Sequence, residues 1–158
     1  MNPQPMRPII SKEYGVPENT DNLLPWSYVV TRMTAAEHYW LSTVAPDHLP
    51  HTRPIDGMWL NDGLYFGGSL QSRWRKNLLT NPNVCVNLED GEKAVILHGV
   101  VEFLQPEEAL VNAIVEASNA KYGHDQTASD YREVLCFTPC VVWAWQLLYE
   151  DATKWVLD

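Results

Sequence analysis

The chain has 158 residues, 46% hydrophobic and 20% charged, with a net charge of −9; this fits one soluble domain with a real core. An acidic surface disfavours nonspecific binding to nucleic acid or anionic membrane, and no apolar run approaches the roughly 20 residues of a membrane helix. Met1-Asn2-Pro3-Gln4-Pro5 lacks the apolar stretch of a signal peptide. Cys85, Cys136 and Cys140 are odd in number and never spaced C-x-x-C; Cys85, in an apolar strand pattern, suits a buried reduced thiol. The expected location is the cytoplasm.

Residues 1–25, rich in Pro and Asn without a steady period, read as an extended arm or mobile lead-in, and 26–158 as one domain. Trp26 to His38 predicts a helix with Ser27 as its cap, and Tyr39 to Val44 a strand. After a turn at Ala45-Pro46-Asp47-His48, His51 to Leu60 predicts a second strand. Asn61-Asp62-Gly63 signals a hairpin into a third, Leu64 to Gly68. A short helix follows over Ser72 to Leu79, stopped by Asn81-Pro82. Asn83 to Leu88 and Ala94 to Leu104 alternate as strands. Pro106-Glu107-Glu108 opens a helix that runs to Tyr122-Gly123. His124 to Asp130 is a polar loop, Val134 to Leu148 a long strand with Trp143 and Trp145 on one face, and Lys154 to Leu157 a last short strand. The order predicts a mainly β, α+β fold: about six antiparallel strands in a closed or nearly closed barrel, with helices between them.

The chemistry concentrates between Arg53 and Asn77. The whole chain holds 11 Lys plus Arg, and four of them (Arg53, Arg73, Arg75 and Lys76) fall in that span. Cations at a helix start, behind Gly67-Gly68 that let a ligand approach the backbone, describe an anion pocket suited to a phosphate. A solvated helix face is the plainer alternative for Arg73-Trp74-Arg75-Lys76. His51 and His98 lack a third ligand at fixed spacing, so they read as ordinary histidines and no metal is expected. Hydrolase and phosphotransfer motifs are absent.

The motif order resembles the pyridoxamine 5′-phosphate oxidase-like family of FMN-binding split β-barrels, from about Leu24 to Val156. The resemblance rests on Tyr39-Trp40-Leu41-Ser42-Thr43-Val44, Pro46-Asp47…Pro50-His51…Arg53-Pro54, Met58-Trp59-Leu60…Gly63-Leu64-Tyr65-Phe66, Ser72-Arg73…Asn77-Leu78…Asn81-Pro82, Lys121-Tyr122-Gly123 and Ala152-Thr153-Lys154-Trp155. It implies a six-stranded split barrel working as a homodimer, with FMN in clefts at the interface. It also implies that Arg53 contacts the flavin phosphate and that the backbone of Pro54, Ile55 and Asp56 runs beside the ring. Gly67 and Gly68 would lie along the ribityl chain, and Ser72 with Arg73 would hold the phosphate. Trp74 stands where the family has lysine, so Arg75 or Lys76 is expected to replace that charge, and Trp74 to stack or pack. Trp155 is placed near the cofactor by the same resemblance, with core packing as the alternative. The implied function is an FMN-dependent oxidoreductase acting on a small molecule of unknown identity. Two alternatives stay open: an F420-dependent enzyme of the same fold, and a non-catalytic flavin or haem binder with His98 or His51 as haem ligand.

Overall fold

The computed structural model describes residues 2–157. All strands belong to one antiparallel sheet: β1 (Tyr39–Val44), β2 (Pro50–Ile55), β3 (Met58–Leu60), β4 (Gly63–Phe66), β5 (Asn83–Asn87), β6 (Val95–Leu104), β7 (Val134–Ala144) and β8 (Thr153–Val156). The order is β2-β1-β5-β6-β7-β4-β3, with β8 also pairing with β7. The two outer strands of that order, β2 and β3, are joined by only Asp56 and Gly57. Such a link spans at most roughly 11 Å, so the sheet must curl until its edges nearly meet without pairing. The result is a barrel split between β2 and β3.

Among the described residues there are eight strands where about six were expected, and the strand predicted over 51–60 is two of them. Its break at Asp56-Gly57 has a cause outside the sheet. The Gly57 carbonyl accepts from Lys121 Nζ at 2.9 Å, and the Gly57 N–H donates to Tyr122 Oη at 2.9 Å. With both backbone groups taken by side chains, Gly57 has none left for a ladder. The long predicted strand at 134–148 ends at Ala144 because Asp151 Oδ1 accepts from the amides of Gln146 and Leu147. Trp145 thus leaves the strand, while Trp143 stays on it.

Among the described residues four α-helices complete the fold: α1 (Trp26–Ala35), α2 (Arg73–Leu78), α3 (Glu108–Tyr122) and α4 (Leu148–Asp151). The first begins one residue ahead of its expected cap, Ser27, and buries Trp26, Val29 and Met33 on one stripe. The hairpin at Asn61-Asp62 forms as expected, with φ of 51° and 61°, the left-handed pair that a type I′ turn requires. His48 also takes φ 65°, a conformation that glycine adopts more cheaply.

The barrel interior holds the main core, in which Tyr39, Leu41, Phe66, Leu97, Phe137 and Trp155 are essentially inaccessible. A second cluster of Met58, Val111, Ile114, Tyr131 and Val134 seats α3 against β3 and the start of β7. The N-terminal segment runs along β8. Met6 and Lys154 exchange two backbone hydrogen bonds, and the Arg7 guanidinium donates to the carbonyls of Asn19, Glu150 and Ala152. Among the described residues, no helix is long and apolar enough to cross a membrane.

Candidate functional site

A cleft of about 540 Å³ lies at the barrel split, within the range of small-molecule and cofactor sites. The end of β2 and the β2–β3 link supply Pro54, Ile55, Asp56 and Gly57; the end of β4 and the following loop supply Phe66, Gly67, Gly68 and Ser69; α2 supplies Trp74 and Arg75. The fourth wall comes from the end of α3 and the loop after it, with Ser118, His124, Gln126 and Tyr131. Six of the expected site residues therefore meet in one place: Pro54, Ile55, Asp56, Gly67, Gly68 and Trp74.

Arg53 and Arg73 stand beside this lining and outside it. Register pairs Arg53 with Leu41, which puts Arg53 on the core-side face of an edge strand. It is exposed, and its Nη1 donates to the Thr52 carbonyl at 3.1 Å. Arg73, equally exposed, precedes Trp74. Among the described residues neither guanidinium meets a carboxylate. Ser72 is committed to its own turn, donating to the Ser69 carbonyl at 2.7 Å. At only six residues, α2 is a weak macrodipole, so anion capture here falls to side chains.

The two cations expected to stand in for a lysine at Trp74 point different ways. Lys76 faces outward, with Nζ 3.1 Å from Gln71 Oε1, and does not line the cleft. Arg75 turns into the protein, 7% exposed. Its Nη1 donates to the Gly68 carbonyl at 3.1 Å, its Nη2 to Glu133 Oε1, and its guanidinium lies 5.5 Å from the Phe103 ring. Of the two, Arg75 is the cation that borders the cleft.

Trp74 explains one of the glycines. Its ring packs against Phe66 at 5.7 Å, and a Cβ on Gly68 would lie 2.5 Å from it. Gly68 is therefore required by Trp74, whereas a Cβ on Gly67 would meet nothing within 4 Å and would project into open space. Gly68→Ala is expected to cost about 1–3 kcal/mol through overpacking, and Gly67→Ala to leave the melting temperature nearly unchanged. Equal melting temperatures for the two variants would contradict this packing.

Trp155 does not reach the cleft. It is fully buried on β8, edge-on to Trp26 at 5.6 Å, so the core reading replaces the cofactor one. His98 points from the outer sheet face, 4.7 Å from the Trp143 ring, and neither it nor His51 lines the cleft. The histidine that does is His124, whose ring stacks on Tyr122 at 5.5 Å. The 124–131 wall escaped the sequence reading because it is a polar loop. Its organisation comes from the Gln126 Oε1 that accepts from Ser118, and from Asp130, which caps Thr127. Among the described residues no group of three or more His, Cys, Asp or Glu is placed to hold a metal.

Lys121 and Tyr122 fix the cleft's floor. Besides Gly57, Lys121 Nζ reaches Tyr39 Oη at 2.9 Å and lies 4.7 Å from that ring. Tyr122 Oη donates to the Glu37 carbonyl at 2.7 Å. Burial lowers the Lys121 amine from 10.5 to about 8 against the opposing charges of Asp56 and Glu37. Between those values the unfolded chain holds more protons than the folded one, so this residue's stability contribution grows with rising pH and is lost as pH falls through 8. Thermal melts from about pH 7.5 to about 9.5, below tyrosine ionisation, are expected to show that rise in the native chain and a flatter profile in Lys121→Met.

A family model described as pyridoxamine 5′-phosphate oxidase matches residues 29–146, which include all of the cleft lining. No curated protein matches the chain in sequence. Among solved structures, the conserved hypothetical protein Rv2991 of Mycobacterium tuberculosis superposes with a TM-score of 0.65 at 18% identity, covering 87% of this chain and 88% of its own. An F420 reductase gives 0.56 at 20% identity, over 71% and 93% of the two chains. The haem storage protein HutZ of Vibrio cholerae gives 0.58 at 17% identity, over 72% and 88%. These likenesses concern the fold, on which different chemistries are carried. With three quarters of its length matched by one family model and with the split barrel in place, the chain belongs to the pyridoxamine 5′-phosphate oxidase family.

Proposed function

We propose that this protein is an FMN-binding oxidoreductase that acts on a small molecule as a homodimer in the cytoplasm. The observation that carries the reading is the split itself. Its edge backbone at Pro54–Gly57 and the open Gly67 border a cleft of cofactor size, and Arg53 and Arg73, whose guanidiniums meet no carboxylate among the described residues, stand beside it. Arginine suits a phosphate because its planar fork donates two parallel charge-assisted bonds. Bound flavin would supply hydride chemistry, and the protein binding, orientation and electrostatics. Among this chain's residues, Arg53, Arg73 and Arg75 would hold the phosphate, Trp74 and Phe66 would keep that end of the cleft dry, and the gripped Gly57 would fix the floor.

FMN is favoured over F420 because the lining includes Asp56, Asp130 and Glu133 against the single Arg75; a long acidic tail meets repulsion there. Haem is disfavoured because His98 and His51 lie off the cleft. The dimer is supported by the outer sheet face. Trp40, Ile96, Val141, Trp143 and Val156 share it by register, and Trp40 and Val156 are 36% and 48% exposed, an apolar surface that a second copy would cover. Equilibrium dialysis against equal FMN, F420 and haem is expected to retain FMN, with sedimentation giving twice the 18.0 kDa chain mass. Preferential retention of either other ligand would overturn the cofactor, and a monomer with FMN bound would overturn the dimer.

A further inference from the structure

We propose that Glu133 is a built-in counter-anion: it holds the buried Arg75 guanidinium until an anionic group of the cleft's ligand displaces it. This rests on the reading that the cleft takes a phosphate-bearing cofactor. Arg75, Glu133 and Gly68 meet at one point of the lining, because Arg75 donates to both of the others.

The two partners of the ion pair are unequal. Arg75 has a side-chain exposure of 8% and is fixed from three sides, by Gly68, Glu133 and the Phe103 ring. The Glu133 side chain is 50% exposed and sits between the turn at Ala128–Tyr131 and the start of β7. Its carboxylate can rotate into water and be hydrated, whereas the guanidinium cannot leave. A buried cation without a partner is strongly unfavourable, so in the free protein some anion must stand at Arg75. Glu133 fills that place from the chain itself.

An arriving phosphate monoester then exchanges one anion for another at a guanidinium already removed from water. A dianion offers more charge than the carboxylate and can accept two parallel bonds. The exchange makes Glu133 a specificity-determining residue: a neutral ligand gains nothing at Arg75, and a weak monoanion competes with a tethered carboxylate. The alternative is a purely structural tie from α2 to β7, indifferent to ligands.

The test is a titration of the full-length chain with FMN, followed by flavin fluorescence at fixed ionic strength, and with riboflavin, which lacks the phosphate. Glu133→Gln keeps an acceptor oxygen and removes the charge; Glu133→Ala removes both and guards against an effect peculiar to glutamine. Both variants are expected to bind FMN about tenfold more tightly than the native chain, the difference between a charge-assisted and a neutral partner, with riboflavin affinity unmoved. Inorganic phosphate should also raise their melting temperatures more than that of the native chain. Native-like FMN affinity in both folded variants would reduce the pair to a structural tie while leaving the flavin reading intact. An equal gain for riboflavin would overturn the anion exchange. If neither the native chain nor any variant binds FMN, the flavin reading fails and this inference falls with it.

Discussion

Replacing Trp155 by alanine is expected to lower the stability of the fold by about 3–5 kcal/mol, the range for emptying a buried tryptophan site. The residue is fully buried on β8, registers with Val142 of β7 and meets the Trp26 ring edge-on. Its removal therefore loosens α1 and the C-terminal strand together. Trp155→Phe should cost far less, for a second reason. Trp155 Nε1 is buried without a hydrogen-bond partner among the described residues, and an unsatisfied buried donor costs about 1–3 kcal/mol, which phenylalanine recovers against its smaller volume. Denaturant titration of the two variants separates these terms. A mild loss in Trp155→Ala, with flavin binding abolished instead, would return this residue to the cofactor.

The second large effect concerns binding. Arg53→Ala and Arg73→Ala are each expected to weaken FMN binding by roughly 10–150-fold, the equivalent of about 1.5–3 kcal/mol for a charge-assisted hydrogen bond. Neither should lower stability by more than about 0.5 kcal/mol, because both side chains are exposed and, among the described residues, meet no carboxylate. Riboflavin affinity should stay level in both variants. If FMN affinity is unchanged in both, neither residue holds the phosphate, and Arg75 carries it without them.

Much of the site was legible in the sequence because it is built from local signals. Asn61-Asp62-Gly63 fixes a hairpin by turn chemistry alone, and β2 with the link after it delivers Pro54, Ile55 and Asp56 to the split. What escaped detection depends on partners distant in the chain. The break at Gly57 is imposed by Lys121 and Tyr122, 64 and 65 residues away. The direction of Arg75 is set by Glu133, 58 residues on, so helical spacing alone left Arg75 and Lys76 equivalent. Gly68 reads in the sequence as room for a ligand, whereas Trp74, in the helix that follows, needs that space. Trp155 was drawn toward the cofactor by resemblance, although its alternation with exposed Val156 on β8 is the ordinary mark of a residue facing a core.

The central claim is that the split between β2 and β3 is a flavin site. The most direct test is the visible absorption spectrum of the purified protein, taken again after FMN is added and the excess removed. The account predicts retained oxidised-flavin bands at one FMN per chain. A colourless protein after that treatment would contradict it, leaving the split barrel as a family fold without the family's cofactor.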